Sequence, residues 1–314
     1  MKKLLLCLLV SILIITGCEN KEANNKEPNE VDKIKEQLNE MSLEEKIGQM
    51  LIVSYRSTEA DENLISILND VKPGGFILFS ENFESYEQTK KFVNDINATS
   101  EIPMFISVDQ EGGTVQRLKQ LTDHEVTVIP PIYELGLTND EDLAYDVGRV
   151  MGEELRVFDI NMDFAPVLDI YSNPNNTVIG TRAFGTTSDT VSKMALSFSK
   201  GLESTGIISV YKHFPGHGDT DEDSHYTLPV VTKTKEELLD LELKPFIEAI
   251  DEGADVIMIG HLAVPSITGD DTPASLSKEI ITDLLKEELS FDGLVITDAL
   301  NMAALTNDYT KKEI

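Results

Sequence analysis

The chain has 314 residues, with 26 Lys plus Arg against 56 Asp plus Glu and a formal net charge of −30. Apolar residues make up 41 % and charged residues 26 %, a composition that can bury a core and excludes a wholly disordered chain. The charge argues against a nucleic-acid partner, whose phosphates need cations to displace their counterions, and against electrostatic docking on an anionic membrane surface.

The first element is a leader. Lys2 and Lys3 precede an apolar run from Leu4 to Ile15, followed by Thr16-Gly17-Cys18. A charged start, a short apolar stretch and small residues at a cut site form a secretory signal, and the stretch is too short for an ordinary spanning helix. Ile15-Thr16-Gly17-Cys18 resembles a bacterial lipobox, which implies a signal peptide over residues 1–17 and an acylated Cys18. The mature protein is then expected to be exported and held by a lipid on the outer face of the cytoplasmic membrane. Cys7 and Cys18 are the only cysteines, so cleavage and acylation leave no thiol or disulfide. Residues 18–41 read as the lipidated Cys, a polar tether (Asn20 to Glu30) and the start of a first helix from Val31 to Leu38. Ser42 and Glu45 form a capping-box pattern ahead of another helix.

Residues 42–314 read as one domain. Short apolar runs predict strands at Met50–Ser54, Gly75–Phe79, Met104–Val108, Asn161–Pro166, Ile207–Tyr211, Asp255–Ile259 and Leu294–Thr297. Between them, apolar spacing near 3.6 predicts helices over Glu141–Phe158, Thr190–Ser204, Lys235–Glu252 and Lys278–Glu288. This βα alternation fits a doubly wound sheet or a barrel. Ionisable residues fall at or near five successive strand ends: Asp109, Asp163, Lys212 with His213, His261 and Asp298. An open sheet concentrates its site at one switch point, whereas a barrel gathers side chains from many strand ends, so the pattern favours a (β/α)8 TIM-type barrel. Seven strands are counted, which leaves the barrel incomplete at its C-terminus. Neither a GxGxxG after a first strand nor a GxxxxGK[ST] occurs, so no nucleotide is expected.

The segment Lys212-His213-Phe214-Pro215-Gly216-His217-Gly218-Asp219-Thr220-Asp221-Glu222-Asp223-Ser224-His225 holds three of the five histidines beside four acidic residues. A calcium loop would need Gly at its sixth position and Glu at its twelfth, where Ser224 and Val230 stand. For zinc, His213 and His217 are four apart, but Pro215-Gly216 breaks the helix that would align them. A solvated acidic loop leaves the histidines unexplained. The remaining reading is a catalytic pair, Asp223 with His225, since a carboxylate fixes the tautomer of an imidazole and suits it to proton transfer near neutral pH.

That segment resembles the signature of glycoside hydrolase family 3, in its β-N-acetylglucosaminidase (NagZ-type) branch. Asp109-Gln110-Glu111-Gly112-Gly113-Thr114-Val115-Gln116-Arg117, Asp163-Phe164-Ala165-Pro166-Val167, Arg182-Ala183-Phe184-Gly185 and Ile296-Thr297-Asp298-Ala299-Leu300-Asn301-Met302 resemble further motifs of that family, in order. The resemblance implies that Asp298 is the nucleophile, that His225 supported by Asp223 is the general acid/base, and that Asp109, Arg117, Arg182, Lys212, His213 and Asp163 bind the sugar. It also implies further sequence supplying an eighth strand and helix. Asp298 has a second reading as a helix cap, and Asp109 as a helix or turn cap. With 6 % aromatic residues and no Trp, long stacking platforms are scarce, which favours removal of a terminal sugar.

The expectation is an exo-acting retaining β-N-acetylglucosaminidase that cleaves terminal β-linked N-acetylglucosamine, as in peptidoglycan fragments, through a covalent glycosyl-aspartate and without metal or other cofactor. Two other readings remain open: a phosphorolytic enzyme, since an imidazole does not repel phosphate as a carboxylate does, and a non-catalytic sugar-binding lipoprotein.

Overall fold

Parallel strands joined through helices organise the chain. In this computed structural model, residues 30–220 and 223–314 are described. The leader over residues 1–17, Cys18 and the tether up to residue 29 lie outside the described residues, as do Asp221 and Glu222. Residues 1–43 and 44–314 form separate units. Of the first, the described part includes the helix Glu30–Glu40, with Val31, Ile34 and Leu38 along one exposed stripe.

In the second unit β1 (Ile52–Val53), β2 (Gly75–Leu78), β3 (Phe105–Val108), β6 (Met162–Asp163) and β7 (Ile208–Ser209) pair in that order, each parallel to the next. β8 (Tyr211–Phe214), β9 (Val256–Ile259) and β10 (Leu294–Thr297) continue it, again parallel. Between β3 and β6 an antiparallel hairpin, β4 (Gln110–Gly112) and β5 (Val115–Gln116), projects from the carboxyl end of β3. The strand expected at Ile207–Tyr211 is corrected to β7 and β8, which only Val210 separates. Val210 donates its N–H to the carbonyls of both Asp163 and Ala165, and the chain bends there to change neighbours. Lys212 and His213 therefore lie within a strand rather than after it.

Ile52, Ile77, Phe105, Met162, Ile208, Val210, Val256, Met258 and Ile296 form one apolar cluster drawn from every parallel strand path. Neighbouring strands of a flat sheet cannot all share one small cluster, so the sheet curls around it. A larger cluster, containing Phe76, Ile106, Ile257 and Ile259, packs the outer face against the helices. This is a TIM-barrel-like α/β fold. Among the described residues no hydrogen-bonded pairing joins β10 to β1.

The helices follow their caps. Asp140 accepts from the Leu143 N–H ahead of Glu141–Val157, and Thr187 from the Thr190 N–H ahead of Ser188–Glu203. These two helices cross closely because a Cβ on Gly148 would stand 2.0 Å from the Phe198 carbonyl oxygen, and one on Gly201 2.1 Å from that of Tyr145. The single helix expected over Lys235–Glu252 is two, Lys235–Asp240 and Lys244–Asp251. Pro245 explains the break: it has no N–H to give a preceding turn, and it sits instead in the first turn of the second helix.

Candidate active site

The carboxyl ends of β3, β8, β9 and β10 supply most of the side chains. Asp109 follows β3 and Glu111 lies in β4, the first strand of the hairpin. Lys212 Nζ, from β8, stands 2.9 Å from Asp109 Oδ1 and 2.6 Å from Glu111 Oε1. Arg182 grips Glu111 with both arms, Nε to Oε2 and Nη2 to Oε1, each at 2.7 Å. Arg117, at the end of the hairpin, reaches Asp109 Oδ2 at 3.3 Å. The hairpin is held by its own glutamines. Gln110 Oε1 accepts from the Arg117 N–H at 2.7 Å, and Gln116 Nε2 donates to the Ile129 carbonyl at 2.6 Å.

Burial alone would push the Glu111 carboxyl up, but the charges of Arg182 and Lys212 and their hydrogen bonds outweigh it and hold it far below the ordinary carboxylate range. Burial opposes the charge on Lys212, and Asp109 with Glu111 more than restores it, so the ammonium persists. Asp163 differs. It is fully buried, its Oδ1 accepts from the Gln110 N–H at 2.9 Å, and its Oδ2 has no partner. Burial raises its pKa well above the usual value, beyond what Gln110 and Lys212 offset. Asp163 thus stands behind the hairpin between Asp109 and Glu111, rather than on an open surface.

Asp169, Glu111, His261 and Ser275 were not assigned roles from sequence, yet each holds a neighbour in place. Asp169 is buried, with Oδ2 2.6 Å from His213 Nδ1 and Oδ1 accepting from the His217 N–H at 2.6 Å. Burial raises the Asp169 carboxyl, but the two histidines outweigh it and keep it ionised. An acidic residue ending the run Ala165-Pro166-Val167-Leu168 was the available signal. His213 Nδ1 is thus committed to Asp169, which fixes the ring. His217 is buried, with Thr220 Oγ1 2.7 Å from Nδ1 and Ser224 Oγ 3.2 Å from Nε2, and burial pushes its pKa down to about 4.

Asp298 follows β10. Its N–H donates to the Ile259 carbonyl of β9, and its Oδ1 accepts from the Ala299 N–H at 2.7 Å. The carboxylate is partly exposed. Burial raises its pKa, but His213, His261, the Ala299 N–H and Lys212 prevail and hold it below the ordinary value. The anion is the form a nucleophile needs.

His225 sits on a loop, with Nδ1 2.7 Å from Asp223 Oδ1 and a side chain 62 % exposed. Its Nε2 has no partner among the described residues. The loop is moored on two sides: Ser224 Oγ lies against His217, while the Ser224 carbonyl accepts from the Ala304 N–H and the Tyr226 carbonyl from Asn307 Nδ2. The root of the loop is packed tightly, since a Cβ on Gly218 would lie 1.7 Å from the Ile170 carbonyl oxygen. Asp109, Glu111, Arg117, Lys212 and Arg182 thus form one ion-pair network, the charges of Lys212 and His213 act on Asp298, and the Asp223–His225 pair lies on the loop bonded to Ala304 and Asn307. Among the described residues no cluster of His, Cys, Asp and Glu could hold a metal ion.

Residues 42–314 match the family model described as the glycosyl hydrolase family 3 N-terminal domain. The chain belongs to glycosyl hydrolase family 3. It is 34 % identical over 269 residues to a β-hexosaminidase A of Pseudoalteromonas piscicida, covering 80 % of this chain and 44 % of that protein. A family 3 β-N-acetylglucosaminidase from Paenibacillus sp. str. FPU-7 superposes with a TM-score of 0.82 at 39 % identity, covering 86 % of this chain and 51 % of that one. NagZ from Neisseria gonorrhoeae, solved in complex with N-trifluoroacetyl-D-glucosamine, gives a TM-score of 0.74 at 34 % identity over 80 % of this chain and 74 % of its own. The chain therefore spans about half the length of the first two relatives. Membership in family 3 agrees with the barrel-like fold and with the glycosidase chemistry expected from the motifs.

Proposed function

We propose that this chain is a retaining β-N-acetylglucosaminidase that removes terminal N-acetylglucosamine from β-linked glycans such as peptidoglycan fragments. The observation that carries the reading is an Asp298 at the end of β10 held below the ordinary carboxylate range by His213, His261 and Lys212, together with an Asp223–His225 pair on a loop bonded to Ala304 and Asn307 in the segment that follows Asp298. The names of the relatives support the same sugar.

In the first step the Asp298 carboxylate attacks the anomeric carbon. The bond to the leaving oxygen breaks, and that oxygen takes the Nε2 proton of His225. Asp223, bonded to Nδ1, stabilises the imidazolium before the transfer and fixes the ring. In the second step water attacks the same carbon, Nε2 takes its proton, and the ester to Asp298 breaks to regenerate the carboxylate. Two displacements on opposite faces retain the β configuration. Asp109, Arg117, Lys212, Arg182 and His213 offer charged acceptors and donors to sugar hydroxyls. No metal or cofactor enters these steps.

The leader and Cys18 support export and lipid anchoring outside the cytoplasmic membrane, which would bring the enzyme to wall fragments. Incorporation of labelled palmitate into wild type and not into Cys18→Ser tests this. Hydrolysis of an aryl β-N-acetylglucosaminide by the purified chain, against the matching β-glucoside, tests the activity. Equal rates on both would overturn the sugar assignment, and no turnover of either would favour a sugar-binding role.

A further inference from the structure

His261 lies at the barrel mouth and has no place in these steps. It follows β9 and is fully buried. Its Nε2 lies 3.0 Å from the Ala299 carbonyl, and its Nδ1 2.7 Å from Ser275 Oγ. A carbonyl only accepts, so Nε2 carries the proton; Nδ1 of the neutral ring is then bare and receives the Ser275 hydroxyl proton. Burial lowers the pKa of this imidazole, Asp298 and the bond to Ala299 only partly opposing it, which keeps the ring neutral.

Ala299 is the residue whose N–H binds Asp298 Oδ1. The residue after the nucleophile is thus held on both sides: its N–H on the carboxylate, and its carbonyl on His261. The Asp298 N–H is tied in turn to the Ile259 carbonyl, two residues before His261. The Asp298 carboxylate has Oδ1 occupied, and its Oδ2 has no protein hydrogen bond among the described residues. The Ala299 carbonyl also accepts from the Met302 N–H at 3.0 Å, which closes the turn locally, while His261 ties that turn to the end of β9 in the orientation that keeps the Ala299 N–H on Oδ1.

We propose that His261, held by Ser275, is a positioning residue for the nucleophile: its Nε2–H fixes the Ala299 carbonyl so that Asp298 keeps Oδ1 on the Ala299 N–H and presents Oδ2 to the anomeric carbon. The inference rests on the reading of Asp298 as the nucleophile. It assigns His261 no proton transfer and no contact with sugar. Because Asp298 acts in both displacements, loss of the clamp slows formation and hydrolysis of the glycosyl-enzyme alike, whatever the leaving group. Loss of His225, by contrast, is offset in the first step by a leaving group that needs no proton, and slows the second step through loss of the base.

The test compares full-length wild type, His261→Leu, His261→Gln, Ser275→Ala and His225→Ala on 2,4-dinitrophenyl and 4-methylumbelliferyl β-N-acetylglucosaminides. His261→Leu is expected to lose about 100-fold in kcat on both substrates, the scale of a misplaced reacting group, with KM changed less than threefold. His261→Gln, whose amide can still donate to the Ala299 carbonyl, should recover most of the rate, and Ser275→Ala should fall between wild type and His261→Leu. His225→Ala should release dinitrophenolate in a fast first turnover and methylumbelliferone slowly, and should stay slow in steady state on both, because Nε2 is also the base of the second step. Wild-type rates in His261→Leu and Ser275→Ala would overturn the proposal, as would a loss that disappears with the dinitrophenyl leaving group. If His261→Leu fails to fold, Ser275→Ala and His261→Gln decide: equal, unchanged kcat in both overturns it. A wild type inactive on both substrates overturns the glycosidase reading itself and the inference with it.

Discussion

The ammonium of Lys212 lies 2.6 Å from the Glu111 carboxylate, and both side chains are almost wholly removed from solvent. Glu111 also carries the two-armed bond from Arg182, so one carboxylate bonds two cations, and Asp109 supplies the second negative charge beside Lys212. Removing Glu111 leaves Arg182 without this carboxylate and Lys212 on Asp109 alone. Glu111→Ala should therefore lower the unfolding free energy by about 3 kcal/mol, the cost of breaking a buried ion pair, and raise KM as both cations lose alignment. A shift in urea midpoint at constant slope measures the first effect, and initial rates the second. An unchanged midpoint would mean that water solvates the cluster.

Asp298 and His225 should fail in different ways. Asp298→Ala removes the bond-forming atom, so activity should fall by at least about 10,000-fold with every leaving group. His225→Ala removes a proton donor whose contribution is about 100-fold or more for a poor leaving group. Added azide should rescue Asp298→Ala by attacking from the vacated face, giving the α-glycosyl azide. Product stereochemistry by NMR checks this, and a β product from that variant would rule out Asp298 as the nucleophile.

The barrel and its site were legible to different depths. Apolar runs marked the seven strand paths because parallel strands covered on both faces carry little polar interruption. The break at Val210 was not legible, because a bend that swaps neighbours leaves an apolar run looking continuous. Asp298, Asp109 and His225 stood out as charges at strand ends or in a Gly-rich loop. Asp169 did not, and His261 stood at a strand end without a legible role, because both depend on partners far along the chain: Asp169 meets His213 forty-four residues away, and His261 meets Ala299 thirty-eight residues away. Asp163 looked like the other acidic residues until its burial separated it from them.

Hydrolysis should prevail over phosphorolysis. Among the described residues the Lys and Arg side chains of the site are already engaged: Lys212, whose charge acts on Asp298, with Asp109 and Glu111, Arg182 with Glu111, and Arg117 with Asp109. A phosphate dianion at the acceptor position would find no uncommitted positive side chain among them. With inorganic phosphate present, free N-acetylglucosamine should remain the product and the rate should be unchanged. Appearance of N-acetylglucosamine 1-phosphate would show that an arriving dianion can draw one of these cations away.

His217 gives the fold a pH dependence of its own. Its imidazole is buried against Asp169, His213 and Arg182, and burial holds its pKa near 4, against an ordinary value of about 6.5. Between those limits the unfolded chain binds a proton that the folded chain refuses. Stability from this group is therefore complete above about pH 6.5 and drains away as pH falls toward 4, by up to about 1.4 kcal/mol per unit. The depressed carboxyls of Glu111, Asp169 and Asp298 give up their stabilisation only below the ordinary carboxylate range, at lower pH. The raised carboxyls of Asp163, Glu203 and Glu242 act in the opposite sense, since the folded form holds their protons more tightly. The absolute slope thus mixes several groups, and a difference between variants isolates one. His217→Gln removes the titration and keeps a donor and an acceptor for Thr220 and Ser224. Wild type should be the more stable at pH 7, and the gap should narrow steadily toward pH 4.5 in urea titrations. Parallel curves would place the His217 proton affinity at its unfolded value and contradict its burial.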